Sequence, residues 1–273
     1  MPSFYQALSE LEQNGEQAAL ATIVRVRGSV PRHAGSKMLI YPNGRVAGTV
    51  GGGEMESRVV AEAQAALADG QPRIMVYSLV DPKAGDPGVC GGEVEIFVEP
   101  LFSAPTVLVI GAGHVGRAVV HLAQWLGFRV VLADDRPEYA NPEWAPGANR
   151  YLVAPPAEVP GQVEIRPDTS IVLTTRNMGV DVAGLPALLD SPAGYIGVIG
   201  SRRRWATAAQ ALEAAGVPRE KLARVRSPMG LELNAETPEE IAVSILAEII
   251  MVRHGGTGAA MGAGKRGAGD AQR

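Results

Sequence analysis

The ten residues Val107-Leu-Val-Ile-Gly-Ala-Gly-His-Val-Gly116 limit what this chain can fold into more than any others. Val107 to Ile110 is an unbroken apolar run, as expected for a parallel strand buried on both faces. Gly111, Gly113 and Gly116 follow as G-x-G-x-x-G, and Arg117 to Leu126 continues at helical spacing. Gly111 permits the tight turn, Gly113 lets backbone approach a pyrophosphate, and Gly116 lets helix and strand lie close. The free N–H groups at the helix start then face an anion, and His114 is the first helical side chain beside it. A second apolar run, Phe128 to Ala133, ends in Asp134-Asp135-Arg136. Asp134 lies about twenty residues beyond the glycines, where an acceptor for a ribose 2′-hydroxyl belongs, with Arg136 beside it. Strand, glycine turn, helix, strand and acid in this order predict a Rossmann-type unit.

Composition narrows the class. The chain has 273 residues, a formal net charge of −4, and 46% apolar and 20% charged residues, the profile of a soluble globular protein. Neither half has the basic excess expected of a nucleic-acid binder. The acidic, amphipathic start is unlike a signal or transit peptide. The longest apolar run, Ile241 to Val252, is too short for a membrane span and contains Glu248, so it predicts a buried helix. A single cysteine, Cys90, excludes an internal disulfide and suits a reducing cytoplasm.

The first hundred residues predict a unit of their own over 1–103. Ser3 and Gln6 suggest a capping box for a short helix to about Gln13, and Ala18 to Val26 reads as a strand. Ser36 to Tyr41 and Arg45 to Val50 flank Pro42-Asn43-Gly44 as a hairpin, for which Asn-Gly suggests a type I′ turn. A long helix is expected over Glu54 to Ala68, and further strands over Ile74 to Leu79 and Glu93 to Val98, giving a small α+β layer. Three loops carry chemistry-bearing residues. Arg27 to Gly35 holds two arginines and His33. Gly51, Gly52 and Gly53 precede the long helix and offer bare N–H groups to an anion, though Glu54 and Glu56 would also complement the helix dipole. Cys90 is flanked by glycines, so it reads either as an inert small residue or as an accessible thiol for a soft metal.

Residues 104–253 should complete a doubly wound parallel sheet. Strands are expected at Thr169 to Thr174, Tyr195 to Ile199 and Ala223 to Arg226. Their carboxyl ends make three candidate ligand loops: Thr174 to Asn177, Gly200 to Arg204, and Ser227 to Gly230. Ser201 would cap the next helix, while Arg202 and Arg203 would gather negative charge. Thr237-Pro-Glu-Glu240 is a strong helix start. The Gly/Ala-rich residues 254–273 should be disordered. The sequence has no His/Glu metal cluster, nucleophile elbow or Walker lysine.

Taken together, the loops resemble the xanthine dehydrogenase accessory proteins, the XdhC/CoxI family. The matching pieces are Arg27 to Met38, Gly48 to Gly53, Cys90 to Glu95, Gly111 to Gly116, Asp134 to Pro137, Gly200 to Arg204, and Ala235 to Ile245. The resemblance implies a small N-terminal domain before a Rossmann domain. It also implies a chaperone that binds the molybdenum cofactor, protects it while an oxo ligand is exchanged for a sulfido ligand, and delivers it to an apo molybdenum hydroxylase. A cysteine desulfurase would be a second partner, and a homodimer is compatible with the pattern. The expected cofactor site is Gly111, Gly113, His114, Gly116, Asp134, Arg136, Ser201, Arg202, Arg203 and Gly51 to Gly53, between the domains, with Cys90 at the molybdenum. The chain departs from the family pattern twice. Glu54 stands where many members have cysteine, and Arg176-Asn-Met-Gly179 where many have histidine. The glycine fingerprint is shared by NAD(P)-dependent oxidoreductases and by nucleotide-binding sensors, and these remain the alternatives, with NAD(P) as ligand. No separate catalytic domain follows the fingerprint, which favours the chaperone.

Overall fold

The computed structural model describes residues 4–78, 91–102 and 104–262. The chain divides into two compact units, Met1–Ser103 and Ala104–Arg273. Cys90, Ser3, Leu79 and residues 263–273 lie outside the described residues, and with them the expectations for the thiol, for a cap at Ser3 and for most of the tail.

The first unit contains α1 (Phe4–Asn14), β1 (Ala18–Arg27), β2 (Lys37–Ile40), β3 (Val46–Gly48), α2 (Gly53–Asp69), β4 (Arg73–Ser78) and β5 (Glu93–Leu101). The strands form an antiparallel sheet in the order β3-β2-β1-β5-β4. Alternation along the strands decides the packing. Ala19, Ala21, Ile23, Val94, Ile96 and Val98 point to one face, where Met55, Val59, Ala63 and Ala66 of α2 cover them. Leu39 and Tyr41 join Ala7 and Leu11 of α1 in a separate cluster. Each large side chain so buried stabilises the unit by roughly 1.5–3 kcal/mol.

The hairpin is present, but its turn is not type I′. The Gly44 N–H donates to the Tyr41 carbonyl at 2.9 Å, and the Tyr41 N–H to the Arg45 carbonyl at 2.9 Å. Gly44 has φ +81, whereas Asn43 does not have positive φ. That is a type I turn followed by a left-handed glycine bulge. Pro42 is the cause, because its ring fixes φ near −65° and fits the first central position of a type I turn.

The second unit runs β6 (Thr106–Ile110), α3 (His114–Trp125), β7 (Arg129–Asp134), β8 (Arg150–Val153), β9 (Ser170–Leu173), α4 (Met178–Leu189), β10 (Tyr195–Val198), α5 (Arg202–Ala214), α6 (Arg219–Leu222), β11 (Val225–Arg226) and α7 (Pro238–His254), with a 3-10 helix over Pro156–Gly161. All strand pairs are parallel, in the order β11-β10-β9-β6-β7-β8. The molecule is therefore α/β, with a Rossmann-type sheet preceded by a smaller α+β unit, as the sequence predicts. The chain reverses its direction of winding between β6 and β9, which opens a crevice at their carboxyl ends. Leu185, Leu188 and Leu212 pack on one face of the sheet, and Val119, Val120, Ile245 and Ile249 on the other.

The expected capping box of α7 is formed, with Thr237 and Glu240 bonded reciprocally. Buried Glu248 is satisfied inside. Its carboxylate accepts from the Tyr195 hydroxyl at 2.6 Å, the Gly230 N–H at 2.7 Å and Arg226 at 3.3 Å. Burial, and then the bond to Glu248, push the Tyr195 phenol far above its ordinary range. Among the described residues, no helix is long and apolar enough to cross a membrane.

Candidate functional site: the cleft at the switch point

The glycine turn divides its work among three positions. At Gly111, φ is +104 and an added Cβ would lie 2.6 Å from the Thr174 carbonyl oxygen. At Gly116, a Cβ would lie 2.0 Å from the Gly111 carbonyl oxygen, so only glycine lets α3 sit this close to β6. Gly113 differs from both. Its φ is −66, and an added Cβ would meet nothing within 4 Å. Neither backbone strain nor protein packing requires glycine there, and the space beside it is open. The turn is fixed from two sides. The Thr174 hydroxyl donates to the Gly111 carbonyl at 2.5 Å, and the Trp144 indole N–H to the Ala112 carbonyl at 2.6 Å. His114 rests edge-on against Trp144.

Gly111, Gly113, His114 and Thr174 line a cleft of about 220 Å³, together with Asp134, Asp135, Arg136, Tyr139, Thr175 and Arg176. Ligand pockets usually enclose roughly 300–1,000 Å³, so this cleft is smaller than most of them.

The two acids at the end of β7 play different parts. Asp134 is buried, and its carboxylate accepts from the Ala112 N–H at 2.8 Å, the Arg136 N–H at 3.0 Å, and Arg136 Nε and Nη2 at 2.9 and 3.1 Å. Four donors use all the acceptor directions a carboxylate has. Asp135 is about one-third exposed and accepts one bond on each oxygen from Arg176, at 2.6 and 2.8 Å. The Arg176 guanidinium holds the Asp135 carboxyl down at about 2. Sequence spacing points to Asp134 as the hydroxyl acceptor; in the structure its bonds go to Ala112 and Arg136, and Asp135 beside it pairs with Arg176 and lies 3.9 Å from Arg136 Nε. Arg136, besides gripping Asp134, lies 3.9 Å from the ring centre of Tyr139.

Ser201 caps α5, accepting from the Arg204 N–H at 3.2 Å. Arg202 and Arg203 are exposed and do not line the cleft. The third arginine is the one that turns inward. Arg204 donates to buried Asp181 at 2.5 Å, and Asp181 also accepts from the Thr175 hydroxyl. This chain of bonds ties the start of α5 to the cleft wall.

In the first unit, the Arg27–Gly35 loop touches both the triple-glycine turn and Gly91-Gly92, the described end of the third loop. Ser29 bridges Gly91, and a Cβ on Gly92 would lie 2.2 Å from the Ser29 carbonyl oxygen. A Cβ on Gly51 would lie 3.2 Å from the Pro31 ring. The triple glycine does form a cradle of N–H groups, and Glu56 fills it. One oxygen of Glu56 accepts from the N–H groups of Val50 at 3.1 Å, Gly51 at 3.3 Å and Gly52 at 3.0 Å, and from the Thr49 hydroxyl. Burial alone would raise the Glu56 carboxyl, but the hydrogen bonds from Thr49 and the three amides outweigh it and hold it below its ordinary value. Gly53, which opens α2, is exposed. Glu54 is paired with Arg58 at 2.5 Å. At the first departure from the family pattern, then, Glu54 is held in an ion pair; in the second, Arg176-Asn-Met-Gly179, Arg176 is paired with Asp135. Among the described residues, no group of three His, Cys, Asp or Glu side chains forms a metal site.

With the fold and the cleft defined, comparison with known proteins is informative. The family model for the XdhC Rossmann domain matches residues 107–249, and that for the XdhC and CoxI family matches residues 11–78. The chain belongs to the XdhC family. It is 35% identical over 264 residues to the uncharacterized protein YqeB of Escherichia coli (strain K12), covering 95% of this chain but only 48% of that protein's length. It is 24% identical to a probable xanthine dehydrogenase subunit of Bacillus subtilis (strain 168), covering 93% of this chain and 98% of the relative. The molybdenum cofactor insertion chaperone PaoD of Escherichia coli (strain K12) is 26% identical over 89% of this chain and 86% of its own. A crystal structure of a protein described as a xanthine dehydrogenase from Bacillus halodurans shares the fold, with a TM-score of 0.50 and 23% identity over 93% of this chain and 96% of that one.

Proposed function

We propose that this XdhC-family chain binds the molybdenum cofactor as cargo, shields it while its oxo ligand is exchanged for a sulfido ligand, and hands it to an apo molybdenum hydroxylase of the xanthine dehydrogenase type. Similarity to the insertion chaperone PaoD over 89% of the chain is the observation that carries this reading. The open cradle at Gly113 supports it physically. The cofactor's phosphate would sit at the start of α3, where unpaired N–H groups and the helix dipole favour an anion. Its metal end would lie outside the small cleft, with Cys90 as the thiolate offered to molybdenum. A cysteine desulfurase would supply the sulfur, and the cytoplasm is the compartment where a free thiol suits the task. In this reading the chain is a carrier rather than an enzyme, and a homodimer is compatible with it.

Expression in a host that makes the cofactor, followed by molybdenum and pterin analysis of the purified protein, tests the reading. Stoichiometric pterin and metal are expected. Cys90→Ser should leave the fold intact, lower the bound molybdenum, and reduce activation of an apo-hydroxylase. Protein free of both pterin and molybdenum would overturn the assignment.

A further inference from the structure

We propose that two copies of this chain meet through the outer face of α3 and α7, with α3 of each copy lying on α7 of the other. This surface shares only His114 with the switch-point cleft and needs no bound cofactor to form.

The two helices run side by side in the same direction. At one end Pro238 and Glu239, which open α7, line a groove with His114 and Arg117 from the first turn of α3. At the other end Arg253, late in α7, lies over the ring of Phe128, just past α3. The groove encloses about 520 Å³, and Ala118, Leu122, Ala242 and Val243 give it an apolar floor. Helical phase carries the apolar strip further along both helices. Trp125 is 78% exposed, and Val243 and Ile250, seven residues apart on α7, are 48% and 37% exposed. A tryptophan in this position is the kind of side chain that anchors an interface.

Charge decides which partner fits. The α3 side carries Arg117 and His121, and the first turn of α7 carries Glu239 and Glu240. Among the described residues, neither Arg117 nor Glu239 has an ion-pair partner, and Arg117 lies over the Trp144 ring. A twofold axis parallel to the helices sets the basic side of each copy on the acidic turn of the other, and Trp125 on Val243 and Ile250. An axis across the helices would instead set Arg117 and His121 against the same residues of the second copy, like charge on like. The face is therefore complementary to itself, in charge and in apolar content, in the first arrangement.

Sedimentation velocity on the full chain tests the proposal. The wild type is expected at the mass of two chains at micromolar concentration. Trp125→Ala, which should keep its melting temperature because the side chain is exposed, should weaken association by roughly thirtyfold. Arg117→Glu and Glu239→Arg should each weaken it by roughly tenfold. An equimolar mixture of these two variants should recover the dimer, because each reversed charge then meets its reversed counterpart. The Trp125→Ala result stands alone if a charge reversal does not fold. A monomeric wild type, association indifferent to Trp125→Ala, or no recovery on mixing folded reversal variants would each overturn the proposal. If the wild type is monomeric and Trp125→Ala instead abolishes binding to an apo-hydroxylase, the face belongs to that partner. Molybdenum and pterin content are read separately, so failure here and failure of the cargo reading can be told apart.

Discussion

Two glycine-rich turns stand before helices in this molecule, and they have opposite fates. Gly51 to Gly53 lead into α2, and Gly111 to Gly116 lead into α3. In the first, the amides of Val50, Gly51 and Gly52 converge on the chain's own Glu56. In the second, Gly113 faces open space, and the neighbouring carboxylate, Asp134, braces the turn at Ala112 instead of filling it. Both are nests of N–H groups at a positive helix end. What separates them is whether a side chain of the same protein supplies the anion. A glycine run before a helix therefore offers N–H groups to an anion, and only the third dimension shows whether a side chain of the same protein already supplies it.

The contrast can be tested by substitution. The largest effect is expected at Gly116, where alanine would force its methyl against the Gly111 carbonyl. Overpacking on backbone should destabilise by about 3 kcal/mol, read as a lowered denaturant midpoint, and an unchanged midpoint would show that α3 can shift outward. Next comes Glu56→Ala, which strips the partner from three amides and a hydroxyl. A loss of about 1–3 kcal/mol is expected in chemical denaturation; no loss would mean that water or a bound anion replaces the carboxylate, making the two turns equivalent. A pH series gives a smaller signal. Because the Glu56 carboxyl is held below 4.5, its stabilisation is complete above that value and fades as pH falls through the lower folded value. Glu56→Gln should flatten that acid limb and leave neutral pH dependence alone. The smallest effect belongs to Gly113→Ala, which should change stability by less than about 0.5 kcal/mol, since φ is ordinary and the space is empty. Gly113→Val should keep the fold and lose the phosphate ligand, and retained affinity would place the phosphate elsewhere.

The Rossmann-type unit was legible because its signals are local: an apolar strand, three glycines at fixed offsets, and a cap before α7. β8 went unassigned, since Arg150–Val153 is a four-residue edge strand with half its side chains out of the core. The turn type at Pro42 was a contest between two local preferences, which the ring of proline won. The site was less legible than the fold. Spacing finds Asp134 but cannot count the donors that saturate it, because Ala112 lies 22 residues away in sequence. Likewise, three consecutive arginines look alike until the helix phase is known. Ser201 caps α5, and Arg204, one turn on, is the member that reaches Asp181. The bond between Arg176 and Asp135 spans 41 residues and leaves no trace in spacing.

The fully occupied carboxylate of Asp134 also separates two kinds of change open to this protein. A substitution at 134 would loosen the glycine turn and Arg136 together, so architecture and ligand grip would fail at once. Asp135 and Arg176 are held chiefly by each other and stand at the rim. Replacing that pair would change the charge at the mouth of the cleft while leaving the bonds that hold the glycine turn in place, so the rim can vary without a detour through misfolded intermediates.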